Sequence, residues 1–456
     1  MREYSGGART RIAKQFLQVS SPELTFFKEK IGESLMGEME KRIKGVMLTF
    51  ASVGIIAIIL LFLVYMLPTE RMLSNARKSI PLFEKLGVSQ PVVWGYEATT
   101  LDTYTDMWMM RIAFYSGDES VLQKCMNNYY YGYTDGQAEN AGGGMIAYLN
   151  GLDGYQRLSY ARYWHGYLVV LKPLLYLFDY GDIIEMLKLM QLTLVALCIA
   201  LLERAKLARC IPAMIAMLGC VEFHVIGMSM QFSWVFMIAI ISSIYFLRIN
   251  EEKIYSSCVD LAFLVTGMCT SFFDFLTYPV FTLGIPLTIV ILRRSVGNQK
   301  GRLFFFTLID SLYWLFGYAG MWALKWILCT VFTGENIIMD GINSILERSG
   351  GDVMGTKVGF LEVISENVWR LEKYPYALIV ICTIIFLLLG RGHFTKAPKE
   401  MAASYLFVIC IPFFWYAVSR NHSYIHAYFA YRELGISIFA GLCFLVQVKK
   451  ADPKEI

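Results

Sequence analysis

The chain has 456 residues, 56% hydrophobic and 17% charged, with 41 basic against 37 acidic side chains and a net charge of +4; its mean hydropathy is +0.48. A water-soluble protein carries about a quarter of its residues as charges, so this composition excludes the soluble enzyme classes, and the small net charge excludes nucleic-acid binding through a basic surface. The apolar excess falls in blocks, and about 20 helical residues cross a hydrocarbon layer of about 30 Å, so the sequence predicts an all-α polytopic membrane protein.

Residues 1–45 hold nine basic and six acidic side chains and read as a cytoplasmic amphipathic arm. Val46 to Leu67 is an unbroken apolar run, so 46–67 is the expected first transmembrane helix. Lys41, Arg42 and Lys44 before it place its start in the cytoplasm by the positive-inside rule. No small-residue cleavage site follows, which marks a retained anchor and not a removable signal peptide. Residues 68–163 form a Tyr- and Gly-rich extracytoplasmic loop with an expected flexible tip at Asn140–Gly144.

Further apolar blocks lie at 164–180, 184–202, 210–224, 229–248, 256–272, 276–292, 303–332, 374–390, 401–418 and 434–448. Basic clusters separate them: Arg204, Lys206 and Arg209; Arg248 and Lys253; Arg293, Arg294, Lys300 and Arg302; Arg391, Lys396 and Lys399; and Lys449, Lys450 and Lys454. Putting every cluster in the cytoplasm gives about 10–12 transmembrane helices, both termini inside and a large first extracytoplasmic loop. That assignment favours ten full spans plus a short or re-entrant segment around Lys172 and Pro173, and block 303–332 is long enough for a span and a half-helix. The divisions expected after the loop are a bundle at 164–332, a second extracytoplasmic segment at 333–373 made of short membrane-lying helices, C-terminal helices at 374–448 and a cytoplasmic tail at 449–456.

Nine of the ten cysteines lie in or beside apolar blocks, and no CxxC or Cys/His ligand spacing occurs. Neither a disulfide framework nor a structural zinc site is expected from such spacing.

The unusual polar residues gather beside the helix ends assigned outside. These are Asp102 and Asp106, Trp164 and His165, Glu222 and His224, Gln231, Asp274 and Tyr278, Lys325, and the cluster Asn421, His422, His426 and Arg432. Ionisable groups near membrane depth cost several kcal/mol unless paired or hydrated, which makes them functional candidates. Glu222 with His224, and Asp274, fit a structural pair at a helix end equally well, and Lys172 and Lys325 fit snorkelling to the interface better. Asp260 and Asp310 fit interhelical hydrogen bonding.

The densest group runs from Ser419 to Glu433. Two histidines one helical turn apart and a guanidinium suit a phosphate, which Arg binds with two parallel bonds. An aromatic belt with incidental His is the competing reading, and a metal site lacks a third ligand. In the first loop, Asp102 and Asp106 are four apart, and the apolar residues at 107–114 predict an amphipathic helix on the bilayer. A carboxylate there has the chemistry of a general base on an acceptor hydroxyl.

The order of these features resembles the GT-C superfamily of membrane glycosyltransferases: cytoplasmic N-terminus, one span, a large loop with acids, then about nine more spans. The strings Leu101-Asp-Thr-Tyr-Thr-Asp106, Arg162-Tyr-Trp-His-Gly-Tyr167, Asp274-Phe-Leu-Thr-Tyr-Pro279 and Asn421-His-Ser-Tyr-Ile-His426 are similar to strings in bacterial polytopic proteins of that kind. The resemblance implies inverting transfer of a sugar from a polyprenyl-phosphate donor to an extracytoplasmic acceptor in the cell envelope, at the plasma membrane, with no cofactor required. Asp106 matches the first-loop base by position and Asp102 is its competitor; Arg432, His422, His426 and Lys325 would hold the donor phosphate. Trp164, His165, Glu222, His224, Gln231, Asp274, Tyr278 and Asn421 would line the pocket. The Asp-x3-Asp spacing departs from the adjacent acids of the family, and no C-terminal soluble domain is present. A transporter or flippase of an amphipathic substrate, or a glycan ligase or polymerase, are the alternatives; the first would show repeated halves and charges at the midplane.

Overall fold

Six helices are long and apolar enough to cross a membrane among the residues described: Met39–Tyr65, Tyr180–Arg204, Met230–Arg248, Leu303–Thr333, Lys399–Val418 and Ala427–Val448. The structure is a computed structural model that describes residues 21–134, 136, 139, 144–296, 300–353, 355–372, 381, 383–384 and 393–450. Residues 1–20 of the N-terminal arm, the loop tip at 140–143, most of block 374–390 and tail residues 451–456 lie outside the described residues. The chain divides into two units, Met1–Ala51 and Ser52–Ile456. In the first, Lys44 and Glu40 form an exposed i,i+4 ion pair at 2.7 Å, the kind worth only tenths of a kcal/mol.

The helices that build the bundle and the site are α1 Ser21–Tyr65, α2 Glu70–Lys78, α3 Thr103–Ala113, α4 Leu168–Leu177, α5 Tyr180–Arg204, α6 Ile211–Cys220, α7 Met230–Arg248, α8 Ser257–Phe273, α9 Phe281–Val296, α10 Leu303–Thr333, α11 Ile337–Ser349, α12 Phe360–Glu372, α13 Lys399–Val418, α14 Arg420–Ile425 and α15 Ala427–Val448, and short helices at Ile80–Leu86, Val121–Asn127, Met145–Leu149 and Phe223–Ile226 join them. Most follow the apolar blocks to within a few residues. Block 164–180 does not: only the ten residues of α4 are helical, with Pro173 inside. Block 303–332 is one uninterrupted helix of 31 residues and not a span followed by a half-helix.

Two glycines set the crossing of α8 and α10. A Cβ on Gly267 of α8 would lie 2.1 Å from the Trp314 carbonyl oxygen, and one on Gly317 of α10 would lie 2.1 Å from that of Leu264. Small residues let helix backbones approach where lipid gives no hydrophobic drive.

One end of the bundle gathers the basic turns. Arg209 donates to the Lys449 carbonyl at 2.9 Å, Arg293 to those of Phe246 and Ile249 at 2.6 and 2.5 Å, and Arg294 to that of Ile254 at 2.9 Å. Gln447 bonds Leu292 O, the Phe304 amide bonds the Glu400 carboxylate, and His393–Phe394 pairs antiparallel with Lys449–Lys450. Arg294 also pairs with the fully buried Asp310, which fits the reading of Asp310 as an interhelical partner. The loops that close the other end are separated from these turns by the 22 residues of α15, about 33 Å at 1.5 Å per residue.

Helix α3 differs from the expectation that it lies on the bilayer. Met107, Met109, Met110, Ile112, Ala113 and Phe114 are all buried, because both its faces meet protein. The two lysines expected to snorkel are likewise turned inward. The Lys172 ammonium donates to Ala113 O at 2.5 Å over the Tyr65 ring, and that of Lys325 donates to Cys125 O and Met126 O at 3.3 and 2.9 Å over the Trp164 ring. Carbonyls in the last turns of two helices, Thr103–Ala113 and Val121–Asn127, which still need donors when buried, hold both amines.

Candidate functional site

Asp102 caps α3. Its Oδ1 accepts the Thr105 amide at 3.0 Å and its Oδ2 accepts the Thr105 hydroxyl at 2.8 Å, the ordinary duty of an aspartate at a helix start. A third donor arrives from far along the chain, the Tyr428 hydroxyl at 3.0 Å. Burial raises the Asp102 pKa against these bonds and that of the Gln231 side chain. The carboxylate forms part of the wall of a cavity of about 460 Å³, within the span of about 300–1,000 Å³ common to small-molecule sites.

Aromatic rings make up much of that wall: Tyr104, Trp108, Tyr160, Tyr163, Phe275 and Tyr428. Trp108 stacks on Tyr160 with centroids 4.7 Å apart and planes 13° apart. Besides Asp102 and these rings, the polar residues of the wall are Ser89, Thr105, Gln231, Arg348, His422 and His426. Among the described residues, buried Nε1 of Trp108, Oε1 of Gln231 and Nδ1 of His426 have no hydrogen-bond partner. Buried polar atoms are nearly always satisfied, so three orphans around one cavity mark where a ligand would bond.

The two histidines meet with ring centroids 4.6 Å apart. Nε2 of His422 lies 2.7 Å from the Leu276 carbonyl oxygen, so that nitrogen carries the proton and Nδ1 is the bare one in the neutral ring. Burial, then His426 and Arg348 nearby, holds His422 well below the usual imidazole range. Burial and Arg348 push His426 down to about 4. Both rings are therefore neutral near pH 7, and the expected phosphate-binding pair of cations is a pair of neutral hydrogen-bonding groups. The Leu276 contact also steadies a backbone at φ 71°, costly for a bulky side chain, beside the cavity residue Phe275.

The cation on the wall is Arg348, in the last turn of α11. Its guanidinium lies 5.6 Å from the Tyr163 ring centroid, and no carboxylate among the described residues forms an ion pair with it. Sequence reading missed Arg348, along with the aromatic residues of the wall.

The other expected residues do not line the cavity. Asp106 is fully buried. Its Oδ2 accepts the Tyr180 hydroxyl at 2.7 Å and the Met230 amide at 2.9 Å, and its Oδ1 accepts the Gln231 amide at 2.9 Å and the Ser229 hydroxyl at 3.3 Å. It thus anchors the start of α7, where a carboxylate meets free amides and the positive end of the helix dipole; burial still raises its pKa to about 7. Arg432 donates to Val221 O at 3.0 Å and Tyr428 O at 3.1 Å beside the Phe232 ring. Lys325 is held by the helix-end carbonyls of Cys125 and Met126.

The remaining candidates serve the scaffold. Trp164 donates its indole N–H to Met321 O at 2.7 Å, and His165 is pinned between the Tyr167 hydroxyl and Tyr160 O. Glu222 pairs with the exposed His224 at 2.8 Å. Asp274 caps a turn by accepting the Thr277 amide at 3.0 Å, and burial raises its pKa to about 6. Tyr278 donates to Phe232 O, and Asn421 donates to Asp352 O at 2.6 Å. Of the expected set, Asp102, Gln231, His422 and His426 share the cavity and the rest do not line it.

No protein family, curated protein or solved structure matches this chain.

Proposed function

We propose that the protein is an integral-membrane glycosyltransferase of the GT-C type, which takes a sugar from a polyprenyl-phosphate donor and passes it to an extracytoplasmic acceptor. The six long apolar helices, the shorter α4, α6, α8 and α9 and the block at 374–390 fit ten spans with α4 as the re-entrant piece. In that arrangement the basic turns face the cytoplasm of a plasma membrane and the cavity faces away from it.

One observation carries the reading: a carboxylate, Asp102, and a guanidinium with no ion-pair partner among the described residues, Arg348, line the same cavity of about 460 Å³ among aromatic rings and orphaned hydrogen-bonding atoms. The acceptor hydroxyl gives its proton to Asp102 as its oxygen bonds to the anomeric carbon. The bond from that carbon to the phosphate oxygen breaks on the opposite face, with inversion, and the electron pair leaves on polyprenyl phosphate. Arg348 stabilises that developing charge. The sugar hydroxyls complete Gln231 Oε1, Trp108 Nε1 and His426 Nδ1, and a phosphate leaving group removes the need for a general acid. Asp102 takes the role expected of Asp106, and Arg348 the role expected of Arg432 and Lys325, because these are the groups that reach the cavity.

The test is purified protein in liposomes with synthetic polyprenyl-phosphate hexoses and pentoses. Release of polyprenyl phosphate without any ion gradient is the expected result, lost in Asp102→Asn and kept in His224→Gln. Gradient-dependent movement of the intact donor with no release would favour a flippase and overturn the proposal.

A further inference from the structure

Arg348 owes its place to the helix that carries it. On α11 the side chains of Met339, Ile342, Ile345 and Leu346 are exposed. Asp340, Ser344 and Arg348, four apart, form another stripe. That stripe meets the first loop. Nη1 of Arg162 donates to Asp340 Oδ1 at 3.0 Å and to Ser344 Oγ at 2.5 Å. The Arg162 carbonyl accepts the Trp326 indole N–H at 3.0 Å, and a Cβ on Gly341 would lie 2.5 Å from the same indole. The next residue, Tyr163, supplies the ring beneath Arg348.

We propose that Arg162 is a positioning residue for the anion site, fixing the rotation of α11 through Asp340 and Ser344 so that Arg348 faces the cavity. The proposal rests on reading Arg348 as the phosphate-binding cation. An apolar outer face has no directional bonds, so it does not fix rotation about the helix axis. A shift of one residue turns the helix by about 100° and carries Arg348 off the cavity wall. The Arg162–Asp340 pair is 25% and 48% exposed, and pairs that open to solvent add little to global stability. Its loss therefore acts on geometry more than on folding.

The full-length protein in phosphatidylcholine nanodiscs is titrated with undecaprenyl phosphate and, separately, with inorganic phosphate. Arg162→Ala is expected to weaken binding about five- to twentyfold, to add nothing in an Arg348→Gln background, and to leave the thermal midpoint close to that of the parent. Arg162→Lys recovers part of the loss, and Asp340→Asn with Ser344→Ala reproduces it from the other side, which keeps the test decisive if Arg162→Ala unfolds. Weakening of both probes supports positioning for any phosphate, and weakening of the lipid probe alone supports it for a lipid-borne one. Unchanged binding in the variants, or additive losses in the double variant, overturns the proposal and leaves the reading of Arg348 standing. Parental binding by Arg348→Gln overturns that reading and the proposal with it.

Discussion

The Tyr428 hydroxyl donates a hydrogen bond to Asp102 at 3.0 Å across 326 positions of sequence. The bond joins the start of α15 to the start of α3 and is one of four that hold the carboxylate still. Tyr428→Phe keeps the ring and removes that donor. With one stabilising bond gone, the carboxylate becomes more basic and less fixed. We expect a fall of about tenfold in kcat for sugar release, the size of one lost bond to a charged group, and an upward shift in the acidic limb of the pH profile. Steady-state kinetics across pH checks both, and an unchanged acidic limb would count against Asp102 as the base.

The two first-loop aspartates should separate cleanly. In Asp106 each carboxylate oxygen accepts a backbone amide, from Met230 or Gln231. Whichever way an asparagine amide is turned, its NH2 opposes one of those N–H groups. Asp106→Asn is therefore expected to lose about 2 kcal/mol of stability, seen as a lower unfolding midpoint, whereas Asp102→Asn loses turnover with its midpoint nearly unchanged. Two equal midpoints would contradict the anchoring role of Asp106.

The outline of this division between scaffold and cavity was partly legible in the sequence. Hydropathy marked the apolar blocks, and the basic clusters that punctuate them do share one end. The four-residue spacing of Asp102 and Asp106 cannot say which faces a cavity, because the distinction is made by amides at 230–231, more than 120 positions away. Lys172 and Lys325 looked like interface lysines since a sequence does not show the helix-end carbonyls of Ala113, Cys125 and Met126 that turn them inward. Arg348 was hidden among the four bases of 333–373. The signal that marks it is the stripe Asp340, Ser344, Arg348 set against Met339, Ile342, Ile345 and Leu346.

The crossing of α8 and α10 gives a prediction about the scaffold alone. Alanine at Gly267 or Gly317 puts a methyl group 2.1 Å from a backbone oxygen of the facing helix, and backbone cannot swing aside as a side chain does. Each substitution is expected to cost about 3 kcal/mol or more by forced separation of the helices, read as loss of monodisperse protein on size exclusion. Serine should be no better than alanine, since the clash is with the Cβ.

Acid should unfold the protein through its buried histidines, with a sign that can be checked. Burial, then Lys325, holds His165 to about 3; burial and Arg348 hold His426 to about 4; His422 is lowered in the same sense. Unfolded, each returns to about 6.5. The folded state therefore binds fewer protons than the unfolded state below pH 6.5, and stability present above that value is lost as pH falls through the folded pKa. Asp106 and Asp274, raised to about 7 and about 6, act in the opposite sense, so the measurement is a difference between two proteins. Relative to His426→Gln, the parent should lose about 3 kcal/mol between pH 7 and pH 4, with His422 and Arg348 unchanged in both. Parallel stability curves over that range would mean that His426 carries its proton in the folded protein, and the cavity would then hold a second cation beside Arg348.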